Sequence, residues 1–117
     1  MSSCSFAEGS GSVFAATEKS ERVYFNRIDP TTLTLSKPVS GAGGEKCKHP
    51  VLAANAKGEV LLAWTEGTAW QKGGALAWQV FDKEGRPISE KGQTDGVPVW
   101  SLPTAFTQAD GNFVIFY

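Results

Sequence analysis

A chain of 117 residues is one domain's worth of polypeptide and can bury a modest core. Eleven basic against twelve acidic side chains leave it near neutral, which excludes a large electrostatic commitment to nucleic acid or to an anionic membrane surface. Thirteen glycines, six prolines and thirteen aromatic residues, with little sustained helical periodicity, predict an all-β chain rich in turns.

The opening segment, MSSCSFAEGSGS, has neither a basic n-region nor an apolar h-region and reads as no signal peptide. It is small-sided, and predicts an inner strand ending in the turn Glu8-Gly9-Ser10-Gly11. Val13 to Thr17 follows as a short apolar strand, then a polar turn from Glu18 to Glu21. Across Arg22 to Asp29 the side chains alternate, with Val23 and Phe25 on one face and Tyr24 and Ile28 on the other. Asp29 before Pro30 initiates a turn, and Leu33 and Leu35 alternate with hydroxyl residues in a half-exposed strand that stops at Pro38. No apolar run reaches the length of a membrane span. Cys4 and Cys47 either pair or carry free thiols; their number and spacing leave both open.

A repeat organises what comes next. HPVLAANAKGEVLLAW, from His49 to Trp64, returns as LPTAFTQADGNFVIFY, from Leu102 to Tyr117, at an offset of 53. The offset pairs Pro50 with Pro103, Ala56 with Ala109 and Gly58 with Gly111, while Val60, Leu62 and Trp64 meet Phe113, Ile115 and Tyr117. Identity falls on turn residues and similarity on apolar ones, as a repeated strand–turn–strand unit requires. The same offset matches Arg22–Asp29 with Ala75–Asp82, and Leu35 and Ser36 with Ile88 and Ser89. The leading hairpin fits better at 47, pairing Gly11 with Gly58, the difference lying in the short Glu18–Glu21 turn against the long Gly67–Gly74 loop.

Within a unit the first strand is small-sided (Ala53, Ala54) and the second apolar throughout (Val60 to Trp64), so it must be covered on both faces. The fourth is short and bounded by proline, as a protected outer edge would be. These features predict an open segment of a β-propeller built from four-stranded antiparallel blades: blade one over about 1–38, blade two over about 49–91 and the first hairpin of blade three over about 102–117. Two faces would be bare, so the partners expected are the remaining blades of a longer chain or further copies of this one. A β-sandwich of about ten strands is the alternative that fits the length.

RVYFNRIDPTTLTLSKPV, HPVLAANAKGEVLLAWTEG and GGALAWQVFDKEGRPI together resemble sialidase-like BNR-repeat propeller proteins. The resemblance implies a six-bladed propeller in an exported, extracytoplasmic protein, with a glycan as ligand and exo-sialidase activity in its catalytic members. That family's Asp-box, Ser-x-Asp-x-Gly-x-x-Trp, lies at the turn between third and fourth strands. Asp29 and Asp82 stand at that turn here, without the closing Trp and with Gly85 at a different spacing. Of the family's arginine triad, only Arg22, Arg27 and Arg86 are candidates, and they fall in or beside strands or at the opposite end. No catalytic residue is therefore assigned.

The loops joining second to third strands, and one unit to the next, gather the candidate ligand-binding residues on one face: His49, Glu66, Trp70, Gln71, Lys72, Asp95 and Trp100. Trp70, in TEGTAWQKGG, either stacks on a sugar with Gln71 and Lys72 beside it or folds back to close the core; Trp64 and Trp78 read as core. Glu66 and Asp95 are either a hydrolytic carboxylate pair, which requires about 5–10 Å between them, or solvated loop acids. Cys47-x-His49 supplies two metal-ligand types without a third, so no metal and no cofactor is expected. The functional expectation is a non-catalytic ligand-binding or scaffolding segment, with part of a sialidase-type glycoside hydrolase as the alternative.

Overall fold

A computed structural model describes residues 4–9, 11–41 and 43–117, together with the backbone but not the side chain of Cys4. Ser10, placed in the first predicted turn, lies outside the described residues, and so does the side chain on which a Cys4–Cys47 pairing would rest. Cys47 itself carries a free thiol. The described chain is all β, with no helix long and apolar enough to cross a membrane.

Among the described residues, ten strands form three antiparallel sheets. The first holds β1 (Cys4–Gly9), β2 (Ser12–Lys19), β3 (Arg22–Ile28) and β4 (Val39–Ser40), paired in sequence order. The second holds β5 (Cys47–Ala54), β6 (Val60–Glu66), β7 (Gly74–Phe81) and β8 (Pro87–Val97), again in order. β9 (Thr104–Thr107) and β10 (Phe113–Phe116) make a separate hairpin.

The period of two in β6 explains how the sheets stack. Val60, Leu62 and Trp64 point to one face and join Phe14, Val23 and Phe25 of the first sheet in the larger core. Leu61 points the other way, and with Ala53 and Val80 it meets Ala105, Phe113 and Ile115 of the hairpin. The middle sheet is thus covered on both faces, as the all-apolar β6 demanded, and each large side chain so buried contributes about 1.5–3 kcal/mol. Phe25 lies edge-on to Phe14 and to Phe81, with ring centroids 6.3 and 5.0 Å away, tying first sheet to second. Links between neighbouring first strands add to this: the Leu52 N–H donates to Ser5 Oγ at 3.4 Å, and Thr107 Oγ1 donates to the Ala54 carbonyl at 2.8 Å.

The turns show why certain residues recur. Asn55 N–H donates to Glu59 O and Gly58 N–H to Asn55 O; 53 positions on, Gln108 N–H donates to Asn112 O and Gly111 N–H to Gln108 O. Gly58 and Gly111 take φ of 84° and 90°, a left-handed backbone where a side chain is strained. The turn after the third strand differs between units. Asp82 N–H bonds Arg86 O, whereas Asp29 N–H reaches one residue further to Thr34 O, and Leu33 adopts φ 58° where Gly85 adopts 80°. In both, the aspartate Oδ1 accepts two backbone N–H groups, Thr31 and Thr32 in one and Glu84 and Arg86 in the other. The Thr32 and Thr31 bonds hold the Asp29 carboxyl below its ordinary range.

That extra residue corrects the predicted matching of Leu35 with Ile88 by one position. It also corrects the fourth strand of the first unit: Leu35 makes only an isolated bridge to Ile28, and the ladder resumes at Val39, because Pro38 has no N–H to give. β8 departs in the opposite sense, running through Val97 instead of stopping near Ser89. The turn between β2 and β3 is tighter than expected, with only Ser20 and Glu21 between the paired Lys19 and Arg22, both at positive φ as a two-residue hairpin turn requires.

Candidate functional site

The β6–β7 connection closes on itself. Ala69 and Lys72 exchange both backbone hydrogen bonds, at 3.2 and 3.0 Å, so Trp70 and Gln71 form the tip of a tight turn, with Gln71 at φ 52°. A bulky side chain at such a tip has no sheet to lie on. Trp70 is 78% exposed and does not fold back over the core. It meets Trp100, 69% exposed, from the turn between β8 and β9; the rings stand edge to face, centroids 4.7 Å apart at 87°. Such a pairing is favourable by about 0.5–1.5 kcal/mol beyond its buried area.

The corner opens onto a cleft of about 440 Å³ whose wall includes Lys48, His49, Lys72 and Leu102. His49 corrects its predicted loop position: it lies within β5, at φ 53°, where the β5–β6 register shifts between Lys48 and Val51. Such a bulge re-aims a side chain out of the ladder. His49, Gln71 and Trp100 all hold left-handed backbone without being glycine, a conformation costing about 1–2 kcal/mol each.

The other predicted residues fall elsewhere. Gln71 is exposed at the turn tip without lining the cleft. Glu66 shares a face with Trp64, two residues before it, and not with Lys48, which pairs with Thr65 on the opposite face. Its carboxylate is heavily engaged: Oε1 accepts Trp64 Nε1–H at 2.9 Å and Gly44 N–H at 3.1 Å, and Oε2 accepts Gln93 Nε2–H at 3.0 Å. Asp95 corrects its predicted loop position too, being a β8 residue paired with Ala75, which also pairs with Glu66. One strand therefore separates the two acids, placing their Cα atoms about 10 Å apart. Neither lines the tryptophan cleft.

Cys47 and His49 diverge likewise. Cys47 is buried against Gly44 and Glu66, and burial, aided by the Glu66 charge, pushes its thiol from the ordinary 9.0 up to about 11. A thiol so raised carries less thiolate, the form that attacks and ligates. Among the described residues, no three of His, Cys, Asp and Glu converge on a metal position. Leu102 is a cleft residue that sequence reasoning missed, although it is the equivalent of His49 one repeat on; Lys48 stands beside His49 on the loop face that the sequence singled out.

Compared with protein-family models, with curated proteins and with solved structures, the chain finds a match in none.

Proposed function

We propose that this chain is a non-catalytic ligand-binding segment of a larger, exported β-propeller of the sialidase-like kind, and that it contacts carbohydrate at the Trp70–Trp100 corner. The observation that carries this reading is the pair of exposed indoles at 4.7 Å with Lys48, His49 and Lys72 round the same cleft. A pyranose has a flat C–H face that stacks on an indole and an equatorial ring of hydroxyls that needs donors beside it. The corner offers both, and an apolar pair this exposed would otherwise be a liability. The propeller part is supported by the in-order four-stranded sheets and by the adjacency of β1, β5 and β9.

A binding role is favoured over hydrolysis because no carboxylate lines the cleft and Glu66 is committed to three donors. The test is an NMR titration of the chain with 3′-sialyllactose, with lactose as the neutral comparison. The indole N–H signals of Trp70 and Trp100 should shift with saturation, and Trp70→Ala and Trp100→Ala should abolish the response while lowering the melting temperature by no more than about 2–8 °C. Absence of a shift at millimolar sugar, or an equal response in Trp70→Ala, would overturn it. So would turnover of a chromogenic sialoside that disappears in Glu66→Gln.

A further inference from the structure

At the end of β6 away from the tryptophan corner, the two four-stranded sheets leave a second cleft between them. It has a volume of about 440 Å³ and is lined by Ser12, Phe14 and Arg27 from the first sheet and by Lys57, Lys83 and Glu84 from turns of the second. Strand register puts the first three on one face: Arg27 pairs with Phe14 across β2 and β3, and Ser12 lies two residues before Phe14. Phe14 belongs to the core shared with the second sheet, so Ser12 and Arg27 face that sheet as well. Gly9 sets how closely the two meet. A Cβ there would stand 2.8 Å from the Ala54 Cβ, so glycine lets the end of β1 press against the turn that carries Lys57.

Three cations and one carboxylate thus share a cleft in a chain whose whole charge is −1. Each cation has an acid close by in sequence, and each of those acids is hydrogen-bonded elsewhere. Asp29, two residues after Arg27, accepts the Thr31 and Thr32 N–H groups of its own turn. Glu59, two after Lys57, accepts the Asn55 side-chain amide. Asp82, just before Lys83, accepts the N–H groups of Glu84 and Arg86. Among the described residues, no hydrogen bond or ion pair engages the side chain of Arg27, Lys57 or Lys83. A smaller cleft of about 290 Å³ adjoins along Phe14, Arg27, Lys83 and Glu84 and adds Lys37. Like charges gathered between protein walls focus their field into the space between them.

We propose that this cleft binds a phosphate group, free or carried by a small molecule. Three cations less the Glu84 carboxylate leave a surplus of two positive charges, which matches the charge of about −1.5 to −2 on a phosphate monoester at neutral pH. Arg27 presents a planar fork from which two phosphate oxygens can accept, Lys57 and Lys83 add point charges, and Ser12 adds a hydroxyl. The volume falls within the roughly 300–1,000 Å³ of small-molecule sites, leaving room for whatever carries the phosphate. No residue of the tryptophan corner takes part, so each site can fail its test without the other.

The probe is glucose 6-phosphate, titrated at constant ionic strength into the isotopically labelled chain, with glucose and glucose 6-sulfate as the uncharged and singly charged comparisons. The backbone amides of Gly58 and Lys83 and the Arg27 Nε–H signal should shift with saturation at millimolar ligand. Arg27→Gln and Lys83→Gln should each weaken binding about tenfold with unchanged melting, and Glu84→Gln should tighten it about two- to fivefold. Affinity should also fall as the phosphate takes up its second proton below about pH 6. Inorganic phosphate should move the same signals. Equal affinity assigns the site to the free ion and weaker affinity to the ester, and either upholds a phosphate site. No saturable shift, an equal response in Arg27→Gln, or equally tight binding of glucose 6-sulfate would overturn the proposal, the last by showing general attraction for anions.

Discussion

Asn55 is the position at which the attachment of the hairpin layer can be measured. It is 2% exposed in the β5–β6 turn, and its amide makes four hydrogen bonds. Oδ1 accepts the N–H groups of Lys57 and Glu59 at 3.1 and 3.0 Å, and Nδ2 donates to Glu59 Oε1 at 2.8 Å and to the Gly111 carbonyl at 3.1 Å. The first pair shapes the turn, and the last bond reaches into the turn between β9 and β10. Asn55→Ala removes all four and leaves two turn N–H groups and one carbonyl without these partners. At about 0.5–1.5 kcal/mol for each neutral bond, and with the Glu59 carboxylate able to rehydrate, the expected loss is about 2–4 kcal/mol.

Urea denaturation followed by tryptophan fluorescence reads that loss directly. With a slope of about 2 kcal/mol per molar, the midpoint should fall by about 1–2 M. Asn55→Asp in a Glu59→Gln background separates the two roles, because it keeps both acceptor bonds, lets the amide introduced at position 59 donate back to the new carboxylate, and loses the donor to Gly111. Amides of β9 and β10 should then exchange faster while those of β5 and β6 hold. A loss under about 0.5 kcal/mol for Asn55→Ala, or uniform exchange in the double variant, would refute the claim that this amide couples the layers.

Three further outcomes follow from local geometry. Below pH 9.0 the Cys47 thiol is neutral in both folded and unfolded chains; above it the unfolded thiol ionises first while the folded one holds its proton to about 11. Stability should therefore decline between about pH 9 and 11 by on the order of 2–3 kcal/mol more in the parent chain than in Cys47→Ala, checked by paired urea curves across that window. Gly92 lies directly under the Trp78 ring, closer than any Cβ could stand, so Gly92→Ala should displace the indole and cost about 1–3 kcal/mol, visible as a shift in emission. Gly58→Ala and Gly111→Ala force alanine to positive φ and should each cost about 1–2 kcal/mol by thermal melting, a penalty that Gly→Asn largely avoids.

What the sequence disclosed about this fold tracks how local the cause was. Gly58 and Gly111 were legible because a left-handed turn residue is demanded by the backbone alone. The two-sided burial of β6 was legible because Val60 to Trp64 has no polar interruption. The extent of β8 was not. Lys91 to Val97 contains Gly92, Asp95 and Gly96 and looks like a loop, yet it is strand because β7 pairs with it from Gly74 to Gln79, with one register shift at Gly96, and that ladder outweighs its own poor propensity. In the first unit the balance tips the other way: one more residue in the Asp29 turn, and Pro38 beyond it, leave Leu33 and Leu35 outside any ladder longer than a single bridge.

The candidate site divides along the same line. Trp70 could be singled out from its glycine-flanked loop, and the repeat placed Trp100 and His49 at the same end, but their convergence on one cleft needed the tip turn and the β5 bulge, neither of which has a sequence signature here. Glu66 was mis-set for a reason that was available. Counting by twos from Trp64 puts it on the core face, where an indole N–H, a backbone N–H and a glutamine amide converge on its oxygens. A carboxylate so occupied anchors a strand end. Freeing it for acid–base work would leave the indole N–H of buried Trp64 unpaired, at about 1–3 kcal/mol, while the exposed Gly44 N–H and Gln93 amide turn to water. That cost is the physical reason to separate the acids of this face from the tryptophan corner and to seek ligand contact only at the corner.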